Sequence, residues 1–203
     1  MAPGLRSDRI SSLAETLRSR QMKSGGWAYF DSVQVSLEAT CLAELALAPE
    51  RHANSSEAIL FLLKSQLSDG GWPAFLGDSE GSWTTALALC TLNSTGDFTA
   101  AREKAFRWLY AERGREGHWF WRWKFKTSDR NVRFDPDKYG WPWVTGSASW
   151  VIPTAFSIIA IEQFTVCNHC CPKQARVVAR LAESRGVAGW GAGSSDSGLS
   201  FLN

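Results

Sequence analysis

The pattern Q-x-x-x-G-G-W occurs twice in this chain, ending at Trp27 and at Trp72, which are 45 residues apart. A period of this length is typical of repeats built from pairs of helices. A threonine also follows thirteen residues after each of three tryptophans, and it is always followed by a small residue and an apolar run. The pairs are Trp27 and Thr40, Trp72 and Thr85, and Trp141 and Thr154. This spacing predicts a helical-repeat protein.

Two kinds of helix alternate in the predicted fold. The stretch over 7–21 places Ile10, Leu13 and Leu17 on one face at helical spacing, so its polar back fits an outer helix. The stretch over 33–48 is apolar on almost every side, which predicts an inner helix that its neighbours bury. We expect seven helices in all: outer helices over 7–21, 53–66, 100–112 and 173–183, and inner helices over 33–48, 83–92 and 150–161.

These helices predict an all-α fold in one domain over residues 1–203. An aromatic-rich insertion over 113–143 interrupts the third repeat; it is longer than ordinary connections and is expected to carry short strands or turns. Counting thirteen residues from Trp190 reaches Asn203, the last residue, so we expect an incomplete array. The repeat units are about 7–48, 53–93, 99–165 with the insertion, and an incomplete unit over 173–203.

Composition narrows the class of protein. The net charge of +2 gives no electrostatic reason to expect nucleic acid as a partner. No apolar run is long enough to span a membrane, and the first ten residues lack the apolar centre of a signal peptide. The five cysteines are odd in number and irregularly placed, which favours reduced thiols. The chain is therefore predicted to be cytoplasmic.

The motif Q-x-x-x-G-G-W, followed by the T-A-L-A-L helix that begins at Thr85, resembles the repeat of the terpenoid cyclase and protein prenyltransferase superfamily, which includes the squalene-hopene cyclases. The resemblance is to the QW motif, in which a glutamine and a tryptophan clamp the end of an outer helix. It implies an α/α toroid whose inner helices surround an apolar cavity, with about twice as many helices as this chain supplies. The implied clamp residues are Gln21 with Trp27 and Gln66 with Trp72. Trp141 and Trp190 are implied clamp residues too, but the position six residues earlier holds Asp135 and Ser184 in place of glutamine.

A catalytic acid is implied by the same resemblance, because such cyclases protonate a polyene with the D-x-D-D-T aspartate before an inner-helix threonine. Among the four residues before Thr40, Thr85 and Thr154, only Glu38 is acidic. Glu38 is a candidate acid, although a glutamate in the first turn also favours the helix macrodipole. Asp135 and Asp137 form a second acidic pair, in an Asp-Pro-Asp sequence that is also typical of a turn.

Aromatic residues are candidates for substrate binding, because π faces stabilise developing carbocations. Trp83, Trp150 and Phe156 lie near the starts of predicted inner helices and would face a cavity in a toroid. Trp119 and Trp121 could wall its mouth, and an exposed apolar mouth could also contact a membrane surface. The alternative for all five residues is packing in the core.

No metal or other cofactor is predicted. The zinc site of the prenyltransferases needs D-x-C and H-T-C sequences; here Thr40-Cys41 remains, but Ala39 replaces the histidine and no D-x-C occurs. The run from Cys167 to Cys171 has C-x-x-C spacing, but no second ligand cluster lies in range to complete four-coordination. A helix-end turn with free thiols is the alternative.

Two functional hypotheses follow. The first is a squalene-cyclase-like domain that binds an apolar polyisoprenoid or lipid and could start cyclisation with an acid. The second is a non-catalytic helical-repeat module, for binding or as a scaffold, that has lost the acid. This hypothesis is favoured because the acid positions before Thr85 and Thr154 hold Trp83-Thr84 and Ile152-Pro153. We also expect self-association through an exposed apolar edge, because repeat arrays need polar capping units.

Overall fold

Seven α-helices make up the regular structure of the computed structural model, which describes residues 3–29, 34–48, 57–95, 98–127 and 139–167. No strand occurs in these ranges, so the all-α prediction is confirmed. The predicted outer helix over 173–183 lies outside the described residues. The helices are α1 (Pro3–Ser19), α2 (Leu37–Leu47), α3 (Glu57–Lys64), α4 (Thr84–Thr95), α5 (Thr99–Ala111), α6 (Trp119–Thr127) and α7 (Val151–Cys167), with a 3₁₀ turn over Arg115–Gly117.

Helix α6 is the element that the sequence did not predict. The insertion was expected to carry short strands or turns, and this expectation was wrong for Trp119–Thr127, which is helical. The stretch contains neither glycine nor proline, and residues four apart contact each other when it is helical. Trp121 and Phe125 do so, with ring centroids 5.8 Å apart.

Helix α4 is the centre of the described structure. Each of its residues from Thr84 to Leu92 is buried, because α2 packs on one side, α7 on the other and α5 behind. Its sequence has no polar face to expose, so burial on several sides is the arrangement that the apolar composition requires. Helices α2, α4 and α7 thus form an inner row. Helices α1 and α3 pack against α2, and α5 packs against α4 and α7.

Three connections join an outer helix to the next inner helix, and we call them link 1 (20–36), link 2 (65–83) and link 3 (112–150). In each link a buried tryptophan indole donates a hydrogen bond to a backbone carbonyl two residues before the end of the outer helix. Carbonyls in the last turn of a helix lack their usual partner four residues later, and each of these three accepts from an indole. The carbonyls of Leu17 and Leu62 also accept from the backbone N–H groups of Arg20 and Ser65, over 3.2 and 3.0 Å. The bonds run from Nε1 of Trp27, Trp72 and Trp141 to the carbonyls of Leu17, Leu62 and Leu109, each over 2.8 Å.

Glutamine side chains stabilise links 1 and 2. The Gln21 amide donates to the Gly25 carbonyl over 2.7 Å. The Gln66 amide donates to Gly70 and also to Ala101 in the first turn of α5, over 3.0 Å in each case. The second of these bonds ties link 2 to the following outer helix.

Link 3 keeps the backbone pattern of the other two in spite of its length. In links 1 and 2 the backbone N–H of Met22 and of Leu67 donates to the glycine before the tryptophan, over 2.9 Å. In link 3 the Gly114 N–H makes the equivalent bond to Gly140, over 3.0 Å. The insertion therefore lies between Gly114 and Gly140.

The glutamine position of link 3 is consequently filled by Arg113. This residue lies four positions after Leu109, as Gln21 lies four after Leu17 and Gln66 four after Leu62. Counting six residues back from Trp141 points to Asp135, but that count passes through the insertion, and Asp135 lies outside the described residues.

Candidate functional site

All three links lie at the end of the array where the inner helices begin, because each runs from the last turn of an outer helix to the first turn of an inner one. A cavity of about 240 Å³ opens there between link 1, link 2 and the first turns of α2 and α4. Glu38 and Trp83, which the sequence singled out for different reasons, both line it. The other lining residues are Tyr29, Gln34, Val35, Ser36, Ala74, Phe75, Leu76 and Thr84.

Glu38 lies in the first turn of α2, where the preceding Ser36 caps the helix by accepting a hydrogen bond from the Ala39 N–H. The Tyr29 hydroxyl donates a hydrogen bond to the Glu38 carboxylate. Partial burial, together with this bond and the negative charge of Glu38, raises the pKa of Tyr29 to about 12. Tyr29 therefore remains a protonated donor to Glu38 at neutral pH.

Trp83 is fixed in place by link 3. Its backbone N–H donates to the Trp143 carbonyl over 3.0 Å, and its ring meets Trp143 edge to face at a centroid distance of 4.7 Å. Phe156 of α7 lies on another side, at 6.1 Å. The two aromatic neighbours hold the indole in position at the cavity that it lines.

The remaining predicted site residues lie apart from this cavity. Phe156 contacts Trp83 but is not among the cavity's lining residues, and Trp150 is exposed at the start of α7. Trp119 and Trp121 belong to α6. Asp135, Asp137 and Trp190 lie outside the described residues.

Sequence reasoning did not single out Tyr29, Phe75 or Leu76 as cavity residues. A signal existed, since an aromatic residue follows the clamp tryptophan by two positions in link 1 and by three in link 2. Phe75 lies in a short turn that Asp78 braces: the Asp78 carboxylate accepts from the Phe75 N–H over 3.3 Å, and the Asp78 N–H donates to the Phe75 carbonyl over 3.2 Å.

Within the ranges that the structure describes, no three His, Cys, Asp or Glu side chains are grouped so that they could hold a metal ion. The cysteines from 170 to 171 lie outside these ranges. No helix in the described part of the chain has the length and apolar character needed to cross a bilayer.

In the described residues, outer and inner helices alternate from α1 to α5, tryptophan contacts join them in all three links, and glutamine contacts occur in links 1 and 2. No protein-family model matches the chain. Over 122 residues the chain is 29% identical to lanosterol synthase from Homo sapiens, a stretch that is 54% of this chain and 16% of the human protein. The resemblance is thus confirmed as distant homology to a terpenoid cyclase, over a small part of that protein's length.

Proposed function

We propose that this chain is a terpenoid-cyclase-like unit of an α/α toroid that binds an apolar isoprenoid at the cavity between links 1 and 2. The observation that carries the proposal is that Glu38 and Trp83, 45 residues apart in sequence, line one cavity at the start of two inner helices. The distant homology to lanosterol synthase and the row of inner helices support the toroid.

The toroid requires more helices than the described ones, and α7 supplies the surface on which a ring would continue. Its outward face exposes Ile152, Ile159 and Val166, which helical spacing brings onto one side. Further helices, or α7 of a second copy, would bury this face. Self-association is therefore part of the proposal.

Isoprenoid chemistry at this cavity would use Glu38 in its protonated form. Transfer of its proton to one carbon of a terminal double bond leaves a tertiary carbocation on the other carbon and a carboxylate on Glu38. The Tyr29 hydroxyl stabilises that carboxylate through its hydrogen bond. In this proposal the π face of Trp83 stabilises the cation while the next double bond attacks it. Loss of a proton to a base then ends the cyclisation.

A second candidate is a binding module without catalysis. It is favoured by the residues in the acid positions of the second and third repeats, which are Trp83-Thr84 and Ile152-Pro153. In this case the cavity would hold the end of an isoprenoid chain through Trp83, Phe75 and Leu76 only.

The test has two readouts. Binding is measured by equilibrium dialysis of radiolabelled farnesol. Turnover is measured by gas chromatography with mass spectrometry of extracts after incubation with squalene, because a cyclic isomer has the same mass as squalene. We expect Trp83→Ala to weaken farnesol binding by at least about fivefold, because it removes a large apolar contact. Trp150→Ala deletes the same type of side chain outside the cavity and should leave affinity unchanged. Equal affinities of the two variants, or no binding by the wild-type protein, would refute the isoprenoid site.

Glu38→Gln separates the two candidates, with Glu57→Gln as its matched control. Both glutamates lie in the first turn of a helix, so both substitutions remove the same macrodipole interaction. For an enzyme, only Glu38→Gln abolishes cyclic product while farnesol binding persists. Binding without product in the wild-type protein identifies the non-catalytic module.

A further inference from the structure

The cavity between links 1 and 2 has one polar wall and one apolar wall. The polar wall comes from link 1 and the first turn of α2, and besides Val35 it consists of Tyr29, Gln34, Ser36 and Glu38. The apolar wall comes from link 2 and the start of α4, and besides Thr84 it consists of Ala74, Phe75, Leu76 and Trp83. A ligand that fills the cavity therefore contacts unlike surfaces on its two sides.

Thr84 does not change the character of the apolar wall, because its hydroxyl group bonds within link 2. The hydroxyl donates to the carbonyls of Trp72 and Pro73, over 3.0 and 2.9 Å. A hydroxyl group has one proton to donate, and these two carbonyls share it. The polar contacts that remain for a ligand are thus on the side of α2.

Glu38 is the charged residue of the polar wall. Its side chain is half-buried in the first turn of α2, and the Tyr29 hydroxyl donates to its carboxylate. A carboxylate has about four lone-pair positions, so it can accept from a second donor besides Tyr29. A hydrocarbon ligand would remove water from this carboxylate and return no hydrogen bond, which costs binding free energy. The polar wall therefore favours a ligand with a hydrogen-bond donor.

The size of the cavity limits the length of the ligand. A water molecule takes about 30 Å³ in the liquid, and if each non-hydrogen atom of a ligand needs a similar volume, a cavity of about 240 Å³ holds roughly eight of them. Cavities for drug-sized ligands are larger, at about 300–1,000 Å³. Phe75 is 71% exposed, so the cavity opens to solvent beside it. A second isoprene unit would reach this opening, and a third would lie outside.

We propose that the ligand of this cavity is a short prenyl alcohol of two isoprene units, whose hydroxyl group donates to Glu38 and whose chain packs on Leu76 and Trp83. The inference rests on the proposed function, that the cavity binds an isoprenoid, and adds the head group and the chain length. Because the hydroxyl group and not a double bond lies at Glu38, it agrees with the binding module rather than with the cyclase.

The first test varies the chain length. Competition against radiolabelled geraniol, which has two isoprene units, is measured by equilibrium dialysis of the whole chain. Dimethylallyl alcohol, which has one unit, should bind at least about tenfold more weakly, because it buries less apolar surface. Farnesol, which has three units, should bind within about twofold of geraniol, because its third unit gains little burial.

The second test varies the head group. Geranyl methyl ether keeps the chain and the oxygen of geraniol but has no proton to donate, so it should bind at least about tenfold more weakly. Glu38→Met removes the charged acceptor and should make the affinities for geraniol and the ether equal. Glu57→Met makes the same change in the first turn of α3, outside the cavity, and should keep the preference for geraniol. Circular dichroism spectra check that both variants fold.

The outcomes separate this inference from the proposed function. If neither geraniol nor farnesol binds, both are overturned. If affinity rises at least about tenfold from geraniol to farnesol, or if the wild-type protein binds the ether as tightly as geraniol, this inference is overturned and the isoprenoid site stands. A preference for geraniol that survives in Glu38→Met also overturns it, because another group would then bind the hydroxyl.

Discussion

The hydroxyl oxygen of Thr85 accepts a hydrogen bond from the backbone N–H of Trp72 over 2.8 Å, and both residues are fully buried. The same bond joins Trp27 to Thr40 and Trp141 to Thr154, over 3.0 Å each. The tryptophan thus contacts both helices that its link connects, because its indole bonds the outer helix and its backbone bonds the inner one. The thirteen-residue spacing is the chain length that this double attachment requires.

Replacing Thr85 by valine should destabilise the protein by about 1–3 kcal/mol, because the buried Trp72 N–H loses its acceptor while the side chain keeps its volume. Thr95→Val is the matched control, since the Thr95 hydroxyl only donates to the Thr91 carbonyl one turn earlier in α4. Urea unfolding of both variants provides the measurement. Equal losses of unfolding free energy in the two variants would show that the hydrogen bond between Trp72 and Thr85 does not stabilise the fold more than the Thr95 hydrogen bond does.

The spacing of tryptophans and threonines made most of the fold predictable. It located the inner helices α2, α4 and α7, because the threonine must lie in the first turn to reach the tryptophan N–H. The outer helices followed from their one-sided apolar pattern. Helix α6 could not be found in this way, since its aromatic residues lie on more than one side and none is buried, so no periodicity marks a core face.

The candidate site was predictable only in part. Glu38 and Trp83 were found because each lies just before or after the start of an inner helix, at a position defined by the repeat. Nothing in the sequence indicated that these two residues share a cavity, because that depends on how links 1 and 2 fold over the helix ends. Tyr29 and Phe75 lie in those links, where turns rather than periodicity decide which way a side chain points.

Gly70→Ala should destabilise the protein more than Gly77→Ala. Both glycines have a φ near +100°, so both substitutions bring the same backbone strain, of about 1 kcal/mol. A Cβ at Gly70 would lie 2.6 Å from the Lys104 carbonyl oxygen of α5, whereas a Cβ at Gly77 meets no atom within 4 Å. Because the backbone strain is the same in both variants, the difference between their urea midpoints reports the loss of stability caused by pushing link 2 away from α5. Identical midpoints would contradict this close contact.

Cys41 and Cys90 should make the stability of the protein fall between pH 9 and pH 12. Burial raises the pKa of each thiol from 9.0 to about 12 in the folded protein. In this window the unfolded chain has released thiol protons that the folded chain retains, so a rise in pH favours unfolding. Burial of Tyr29 and its contact with Glu38 act in the same direction between pH 10 and pH 12.

The measurement is the urea midpoint from pH 8 to pH 11 in the background C167S/C170S/C171S, which leaves Cys41 and Cys90 as the two thiols. Each thiol contributes at most about 1.4 kcal/mol per pH unit to the slope. The further substitutions C41A/C90A should flatten the slope while leaving the Tyr29 contribution.

In the same background, both thiols should resist a disulfide reagent at pH 8 until urea unfolds the chain, because both are buried in helices that pack against each other, Cys41 in α2 and Cys90 in α4. Rapid reaction in the folded protein would show that the inner row opens.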